Sequence, residues 1–232
     1  MEKQSPLISV IMPLYNAERF VGESICNILG QTVGDFELIV IDDASTDSSY
    51  DIASRYAAQD ARIVLMRNDA NHGAAYTRNR GLETARGSFI TFMDADDRCS
   101  PERFARQTAF FGQHPQIDLC GSYYTMFGPD DAREQKIQDP ITHEGIRIQM
   151  LFGCPFAMSG VMMRRGAFLR SGVRFRATMA EDYLFWAELS GHMRMANIPE
   201  HLSFYRRWEN QLSTSQLDRQ TLSAQAIQRD LL

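Results

Sequence analysis

The sequence of 232 residues lacks the features that mark several large classes of protein. Its four cysteines form no C-x-x-C pair and have no zinc-site spacing, so we expect reduced thiols and no structural zinc. No apolar run approaches the roughly 18 residues that a membrane-spanning helix needs. The N-terminal stretch MEKQSPLISVIMPLYN also lacks the long apolar core of a signal peptide. These absences predict a cytoplasmic protein.

An excess of positive charge is also missing. The net charge is −5, from 29 acidic and 24 basic side chains, which argues against a general nucleic-acid-binding surface. The G-x-G-x-x-G turn of a dinucleotide dehydrogenase is absent after the first apolar run, where PLYNAERF stands. An acidic chain that binds phosphate groups needs a local source of positive charge, such as a metal ion.

The first hundred residues alternate between two kinds of pattern. Short apolar runs are typical of parallel strands covered on both faces; they are Leu7–Met12, Phe36–Ile41, Ile63–Met66 and Phe89–Met93. Helical patterns lie between them: an apolar stripe over 20–29, a segment capped by Ser45-Thr46-Asp47, Ala74 to Arg86 with a stop at Gly87, and a helix from Ser100-Pro101-Glu102 to Phe111. The alternation predicts an α/β fold with a doubly wound, mostly parallel, Rossmann-like sheet flanked by helices.

The second half of the chain is less regular. We predict strands at Ile117–Phe127, Ala157–Arg165 and Asn197–Tyr205, helices at Ile146–Phe152, Glu181–Ser190 and Asp218–Leu232, and a turn over Gly166–Gly172. The expected organisation is one catalytic domain over residues 1–215, with a ligand-binding half at 1–98 and a second half at 99–215. The helical tail at 216–232 either docks on a membrane or packs as an ordinary terminal helix.

Chemically distinctive residues follow each of the first four strands. They are Pro13-Leu14-Tyr15-Asn16, Asp42-Asp43, Arg67-Asn68 and Asp94-Ala95-Asp96-Asp97. Parallel strands bring these ends to one edge of the sheet, where ligands of open α/β sheets bind. Carboxylates there suit Mg²⁺ or Mn²⁺ with a nucleotide diphosphate. Two simpler readings stay open: the first acidic pair caps a helix, and the second acidic cluster is a solvated turn. An aspartyl phosphatase is disfavoured, because no small hydroxyl residue follows Asp94-Ala95-Asp96.

The order of these motifs resembles glycosyltransferase family 2, the inverting GT-A enzymes. The likeness covers "ISVIMPLYNAERFVGESICNILGQTVGDFELIVIDDASTD", "NDANHGAAYTRNRGLETARGSFITFMDADD", "SGVMMRRGAF", "AEDYLFW" and "IPEHLSFYRRWENQLS". The resemblance implies a GT-A fold with a smaller acceptor-side region, Mn²⁺ or Mg²⁺, and a donor that is usually a UDP-sugar. It implies transfer to a hydroxyl of a glycan or glycolipid, in synthesis of a bacterial surface glycan such as lipooligosaccharide or capsule. Such work would take place in the cytoplasm at the inner face of the membrane, with peripheral membrane contact.

The resemblance also implies roles for individual residues. Pro13 and Tyr15 would cradle the base, Asp43 would meet the uracil ring with Asp42 beside it, and Arg78 would lie near the base or diphosphate. Asp94 and Asp96 match the family's DxD motif, with Asp96 as the more direct metal ligand and Asp97 as a third candidate. Asp182 matches the catalytic base, and Glu181 is its neighbour. Read from the residues alone, this acidic pair could instead favour a helix N-terminus.

One departure from the family concerns its last strand. Many relatives carry a histidine after the final "YR", and Trp208 stands at that place here. We therefore assign no histidine ligand, and expect Arg206 or Arg207 to contact the diphosphate. Trp186, Trp208 and Tyr205 are candidates for stacking on a sugar, with core packing as the alternative for Trp186. The remaining rival is a non-catalytic sugar-nucleotide-binding module, which would not need Asp182.

Overall fold

A computed structural model describes residues 5–128, 134–208 and 217–231. In this part of the chain nine strands form one sheet: β1 (Ile8–Leu14), β2 (Phe36–Asp42), β3 (Ile63–Arg67), β4 (Phe89–Phe92), β5 (Arg98–Cys99), β6 (Leu119–Phe127), β7 (Gln135–Ile137), β8 (Met162–Arg164) and β9 (Met195–Arg206). The strand order is β3-β2-β1-β4-β8-β6-β9-β5, with β7 paired to β6. Strands β1 to β4 pair in parallel, as do β6 and β9, whereas β5, β7 and β8 are antiparallel to their neighbours. The predicted α/β fold with a mostly parallel sheet is confirmed.

Eight α-helices lie within the described residues. They are α1 (Val21–Leu29), α2 (Ser49–Gln59), α3 (Ala74–Thr84), α4 (Arg103–Gln113), α5 (His143–Gln149), α6 (Arg165–Ser171), α7 (Glu181–Leu189) and α8 (Leu217–Asp230), with a short 3₁₀ turn at Met158–Gly160. The first three follow β1, β2 and β3 in turn, so each crossover returns the chain to another parallel strand of the same sheet, and the third places β4 beside β1. The carboxyl ends of β1, β2, β3 and β4 consequently lie along one edge.

The sheet separates two hydrophobic cores, because successive side chains of a strand point to opposite faces. Ile11 and Ile39 face a core that helices α3, α5, α6 and α7 cover. Val10 and Leu38 face the opposite core, under α1, α2 and α4. All seven residues of β2 are buried, as expected for a strand covered on both sides. The apolar residues of β2 thus pack against helices on both faces of the sheet, and the acidic residue Asp42 lies at the carboxyl end of the strand.

Several details of the second half differ from the sequence prediction. The turn expected over Gly166–Gly172 is wrong, because α6 occupies Arg165–Ser171 and ends at a left-handed Gly172 with φ of 68°. The strand expected over Ala157–Arg165 is only three residues long, and the 3₁₀ turn precedes it. Strands β5 and β7 were not predicted, because two- and three-residue strands carry too few apolar positions to show a period.

Several predicted helix ends also differ; α5, for example, spans His143–Gln149 where Ile146–Phe152 was expected. Helix α4 begins at Arg103, three residues after the expected cap at Ser100, whose Oγ accepts a hydrogen bond from the Glu102 amide. Helix α3 ends at Thr84, and Gly87 has no left-handed conformation. A Cβ at Gly87 would lie 2.5 Å from the Ser9 amide nitrogen, so this glycine permits close contact with β1 and does not cap α3.

The tail of the chain packs as a terminal helix over its described part. Ile227 of α8 is buried in the same core as Tyr183 and Trp186 of α7. Among the described residues, none of the helices combines the length and apolarity that crossing a membrane requires. All four cysteines are free thiols, as expected, and Cys26 is the exposed one.

Candidate active site

Two strained loops follow β1 and β2 at the carboxyl edge of the sheet. Asn16 and Ala44 have positive φ values of 47° and 57°, which are uncommon for residues other than glycine. The loops hold each other: the Thr46 amide donates to Asn16 Oδ1 at 2.9 Å, and the Asn16 amide donates to Ser45 Oγ at 3.1 Å. Tyr15 is left 48% exposed between them. Local strain of this kind is found at ligand sites, where the surrounding structure maintains it.

The acidic pair at the end of β2 has two different environments. Asp42 is fully buried, accepts hydrogen bonds from the Ser45 amide and pairs with Arg67 at 3.0 Å. Asp42 therefore holds the turn after β2 together. Pro13, opposite Ile41 in β1, is partly exposed beside this turn.

Asp43 closes the loop that leads into α3. Its carboxylate accepts from Asn68 Nδ2 at 2.5 Å and from the amides of His72 at 3.0 Å and Gly73 at 2.8 Å. A carboxylate has about four acceptor positions, so these three bonds leave capacity for about one more donor. Asn68, one of the strand-end residues that the sequence placed at this edge, also donates to Thr77 Oγ1 at 3.0 Å. Its contact with Asp43 was not predicted, because the two residues are 25 positions apart in the chain.

Arg78 connects the DxD motif with the acidic pair of α7. Its Nη2 lies 2.9 Å from Asp94 Oδ1 and its Nη1 lies 2.7 Å from Glu181 Oε1. The side chain is only 7% exposed. Burial favours loss of its proton, but the charges of Asp94 and Glu181 outweigh burial and raise the Arg78 pKa above its ordinary value. Gly81, one turn later, packs α3 closely against Ile11 of β1 and so fixes the depth at which Arg78 sits.

Asp97 stabilises the acidic loop, which is the segment Asp94-Ala95-Asp96-Asp97 that follows β4. Ser159 Oγ donates to its Oδ2 at 2.6 Å, and the Arg206 amide donates to its Oδ1 at 2.9 Å. The residue is 1% exposed, and burial, together with the charges of Asp96 and Asp94, raises its pKa well above the ordinary value. Ser159 Oγ also accepts from the Asp94 amide at 3.0 Å, so one serine orders both ends of the loop. Ser159 was not identified from the sequence.

Asp96 is held from the end of β9. Trp208 Nε1 donates to Asp96 Oδ2 at 2.8 Å, and Arg206 Nε donates to the Asp96 carbonyl oxygen at 2.6 Å. Burial and the charge of Asp94 raise the Asp96 pKa, and the Trp208 hydrogen bond opposes that rise. Arg206 also pairs with Glu23 at 2.5 Å, so its guanidinium braces the acidic loop from outside.

Asp182 lies beside this network at the N-terminus of α7. Its Oδ1 accepts from the Tyr183 amide at 2.7 Å, a bond that favours the charged carboxylate. Burial and the neighbouring charge of Glu181 nevertheless raise its pKa from 3.8 to about 6, against the influence of Arg78. A carboxylate with this pKa can accept a proton near neutral pH while being deprotonated beforehand.

A second group of polar side chains lies within electrostatic range of Asp182. Burial, followed by the charge of Asp182, raises the Cys154 pKa well above its usual range, and Asp139 acts on the same thiol. Burial and the charge of Asp139 likewise raise the Tyr124 pKa. Asp139 Oδ2 is shielded from solvent and has no hydrogen-bond partner among the described residues. No pattern in the sequence singles out these three residues.

The other aromatic and basic candidates are placed as follows. Trp186 is fully buried against Phe92, with ring centroids 6.0 Å apart, so it belongs to the core and cannot stack on a sugar. Arg207 is exposed, and its amide donates to Phe127 at 2.8 Å. Tyr205 is partly buried in β9. Of the two arginines proposed for the diphosphate, Arg206 is the one that contacts the acidic loop.

The donor set of this loop fits a divalent cation bound together with phosphate oxygens. No group of three or more metal-ligating side chains occurs within the part of the chain that the structure describes. Mg²⁺ and Mn²⁺, however, commonly use one or two carboxylates and take their remaining ligands from substrate and water. Asp94 and Asp96 supply such a pair, and the pKa of Asp96 is raised partly by the charge of Asp94. A cation would relieve that repulsion.

Comparison with known proteins identifies the family. The profile described as "Glycosyl transferase family 2" matches residues 9–172, which is most of the chain. The chain belongs to glycosyl transferase family 2. An uncharacterized glycosyltransferase of Haemophilus influenzae is 33% identical over 97% of this chain and 73% of its own length. The putative teichuronic acid biosynthesis glycosyltransferase TuaG of Bacillus subtilis is 31% identical over 66% of this chain and 62% of its own length.

A solved structure supports the same conclusion for the fold. S. aureus TarS 1-349 in complex with UDP-GlcNAc superposes with a TM-score of 0.75 at 24% identity, over 90% of this chain and 60% of TarS 1-349. The GT-A fold inferred from the sequence is confirmed, and so is the membership of the family. This family-2 chain is therefore a glycosyltransferase.

Proposed function

We propose that this glycosyltransferase moves a sugar from a UDP-sugar to an acceptor hydroxyl with inversion at the anomeric carbon, and that Asp182 is the base. The observation that carries the proposal is the position of Arg78, which binds Asp94 of the DxD motif and Glu181 beside Asp182 at the same time. Two motifs that are 87 residues apart, at 94 and 181, therefore face one site. The raised pKa of Asp182, about 6, suits the proton transfer that the reaction needs.

The nucleotide would lie at the carboxyl edge of the first three strands. Asp43 has about one acceptor position left after its three hydrogen bonds, which matches the single N–H of a uracil ring. Tyr15 is exposed next to it and offers a ring for the base to stack on. The presence of UDP-GlcNAc in the TarS complex is consistent with a uridine nucleotide.

Asp96 and Asp94 would hold Mn²⁺ or Mg²⁺, with Asp96 as the more direct ligand. When bound, the ion supplies positive charge to the leaving diphosphate. Asp97 is not proposed as a ligand, because both of its oxygens accept hydrogen bonds from Ser159 and Arg206. Arg206 is paired with Glu23 and hydrogen-bonded to the loop, so we assign it the role of positioning the loop and not of binding phosphate.

The chemistry follows from the position of Asp182. The acceptor oxygen attacks the anomeric carbon, a new C–O bond forms, and the bond from that carbon to the diphosphate breaks with its electron pair leaving on UDP. The proton of the acceptor hydroxyl passes to a carboxylate oxygen of Asp182. Glu181 cannot serve equally well, because its Oε1 is paired with Arg78 at 2.7 Å. Arg78 itself keeps Asp94 and Glu181 in fixed positions around the sugar.

The acceptor would approach past Tyr124, Asp139 and Cys154, the polar group next to Asp182. We propose a glycan or glycolipid acceptor in bacterial surface-glycan synthesis on the cytoplasmic side of the membrane. The similarity to TuaG, a putative teichuronic acid enzyme, supports this class of product.

The test combines binding with turnover. A panel of UDP- and GDP-sugars is screened with Mn²⁺ for thermal stabilisation and for hydrolysis or transfer. We expect at least one UDP-sugar to stabilise the chain, and Asp182→Asn to keep UDP binding while losing turnover by several orders of magnitude. Stabilisation by none of the nucleotides would refute the proposal. Turnover that survives in Asp182→Asn would refute the role of the base, and binding without any turnover in the wild type would indicate a non-catalytic binding module.

A further inference from the structure

The end of β9 is attached to the DxD loop by three hydrogen bonds. The Arg206 amide donates to Asp97 Oδ1 at 2.9 Å, Arg206 Nε donates to the Asp96 carbonyl oxygen at 2.6 Å, and Trp208 Nε1 donates to Asp96 Oδ2 at 2.8 Å. The two bonds from Arg206 hold the Asp96 backbone and the buried Asp97 carboxylate. The third reaches the side chain that would bind the cation, 112 residues earlier in the chain.

Trp208 is held in place independently of Asp96. Its ring lies against Phe20, with centroids 5.4 Å apart and an interplanar angle of 56°. Arg206 lies over the same phenylalanine, 4.7 Å from the ring centroid, and over Phe127 at 4.6 Å. Phe20 directly precedes α1, so the indole rests on a ring that a separate element supplies, and Arg206 packs on that same ring and on Phe127 at the end of β6. The N–H group therefore points at Asp96 from a supported position.

We propose that Trp208 is the positioning residue of Asp96 and sets the strength with which this site binds a divalent cation. An indole N–H is a donor without any acceptor, so Trp208 cannot ligate the ion and acts only through Asp96. Outer hydrogen bonds of this kind orient a ligating carboxylate, and their loss typically weakens metal binding 10- to 100-fold. The inference rests on the proposed function, because it takes Asp96 to be a metal ligand.

Tryptophan at this position also limits which groups can be ligands of the cation. A histidine there could bind a metal directly, whereas the indole leaves the ligands to carboxylates, phosphate oxygens and water. The cation should therefore bind weakly without nucleotide and far more strongly with it, since the nucleotide supplies the missing ligands. This dependence on nucleotide distinguishes a positioned carboxylate pair from a complete protein-only metal site.

The experiment measures Mn²⁺ affinity of the full chain from the electron paramagnetic resonance signal of free Mn²⁺, alone and with saturating UDP or GDP. The variant is Trp208→Phe, which keeps a ring to pack on Phe20 and removes the N–H. The chain contains two tryptophans, so Trp186→Phe is a matched control that makes the same change in the core. We expect Trp208→Phe to raise the Kd for Mn²⁺ in the presence of nucleotide 10- to 100-fold, and Trp186→Phe to change it less than twofold.

A second readout is tryptophan fluorescence. In Trp186→Phe the only emitting tryptophan is Trp208, so its emission should change when Mn²⁺ and nucleotide bind. A Trp208→Phe affinity within twofold of the wild type would overturn the inference and leave the proposed function intact. So would an equal loss in both tryptophan variants. A wild type that binds no Mn²⁺ with either nucleotide would overturn the proposed metal site itself.

Discussion

Replacing Asp182 by Asn should make the nucleotide-free protein more stable while abolishing transfer. The carboxylate has a pKa of about 6 in the folded chain, raised by burial and by Glu181, against an ordinary value of 3.8. The folded state therefore binds the Asp182 proton more tightly than the unfolded state does. A neutral side chain of the same shape keeps an acceptor for the Tyr183 amide and removes the charge that folding must bury.

The size of the effect follows from the two pKa values. The difference between 3.8 and about 6 corresponds to about 3 kcal/mol at roughly 1.4 kcal/mol per tenfold change in proton affinity. Because the folded pKa is the higher one, the stability that protonation provides is full below about 4 and is lost as the pH rises through about 6. At pH 8 the variant should gain up to about 3 kcal/mol, or a rise in Tm of several degrees. Below pH 4 the gain should vanish.

Urea unfolding from pH 3.5 to 8, with EDTA present, measures this difference directly. A matched control is Asp51→Asn, which makes the same change at an exposed aspartate in the first turn of α2. There the lost helix-dipole interaction should lower stability slightly, by about 0.3–1 kcal/mol. If Asp182→Asn also lowered stability at pH 8, Asp182 would stabilise α7 mainly through the helix dipole, as Asp51 does in α2. The reasoning from its raised pKa would then be refuted.

Four further predictions test the remaining features. The kcat/KM of the wild type should rise with pH through about 6 and level off above, because Asp182 must be deprotonated to accept a proton; a flat profile over pH 5–8 would contradict its role. Arg78→Met should lower the free energy of unfolding in urea by about 3 kcal/mol, because it leaves the partly buried carboxylates of Asp94 and Glu181 without their cationic partner. An unchanged free energy of unfolding would show that these carboxylates reorganise. Gly87→Ala should cost about 1–3 kcal/mol because its Cβ would meet the β1 backbone, with nucleotide affinity retained by calorimetry. Asp96→Asn should weaken Mn²⁺ binding at least about tenfold, whereas Asp97→Asn should leave the Mn²⁺ affinity nearly unchanged, because both oxygens of Asp97 are already hydrogen-bonded; the reverse order would assign the ligand to Asp97.

The sequence predicted the first half of the fold well because each strand there is a continuous apolar run. The ends of β1 to β4 fell within two residues of their predicted positions, and the acidic residues that follow β2 and β4 do lie at the same edge. The second half was predicted less well. Strands of two or three residues and a 3₁₀ turn have no period to detect, so β5, β7 and the true extent of β8 were missed and α6 was mistaken for a turn.

The family, the α/β alternation and the position of the two acidic motifs could all be predicted from local sequence. Those properties depend on local periodicity and on residue type at short spacing. The folded chain was needed to show that Arg78 joins Asp94 to Glu181 and that Asp97 is a buried residue hydrogen-bonded to Ser159. The contact of Trp208 with Asp96 is of the same kind, since its partners are 112 residues apart. Such contacts depend on how β8, β9 and α7 pack against the first four strands, and no short stretch of sequence encodes that packing.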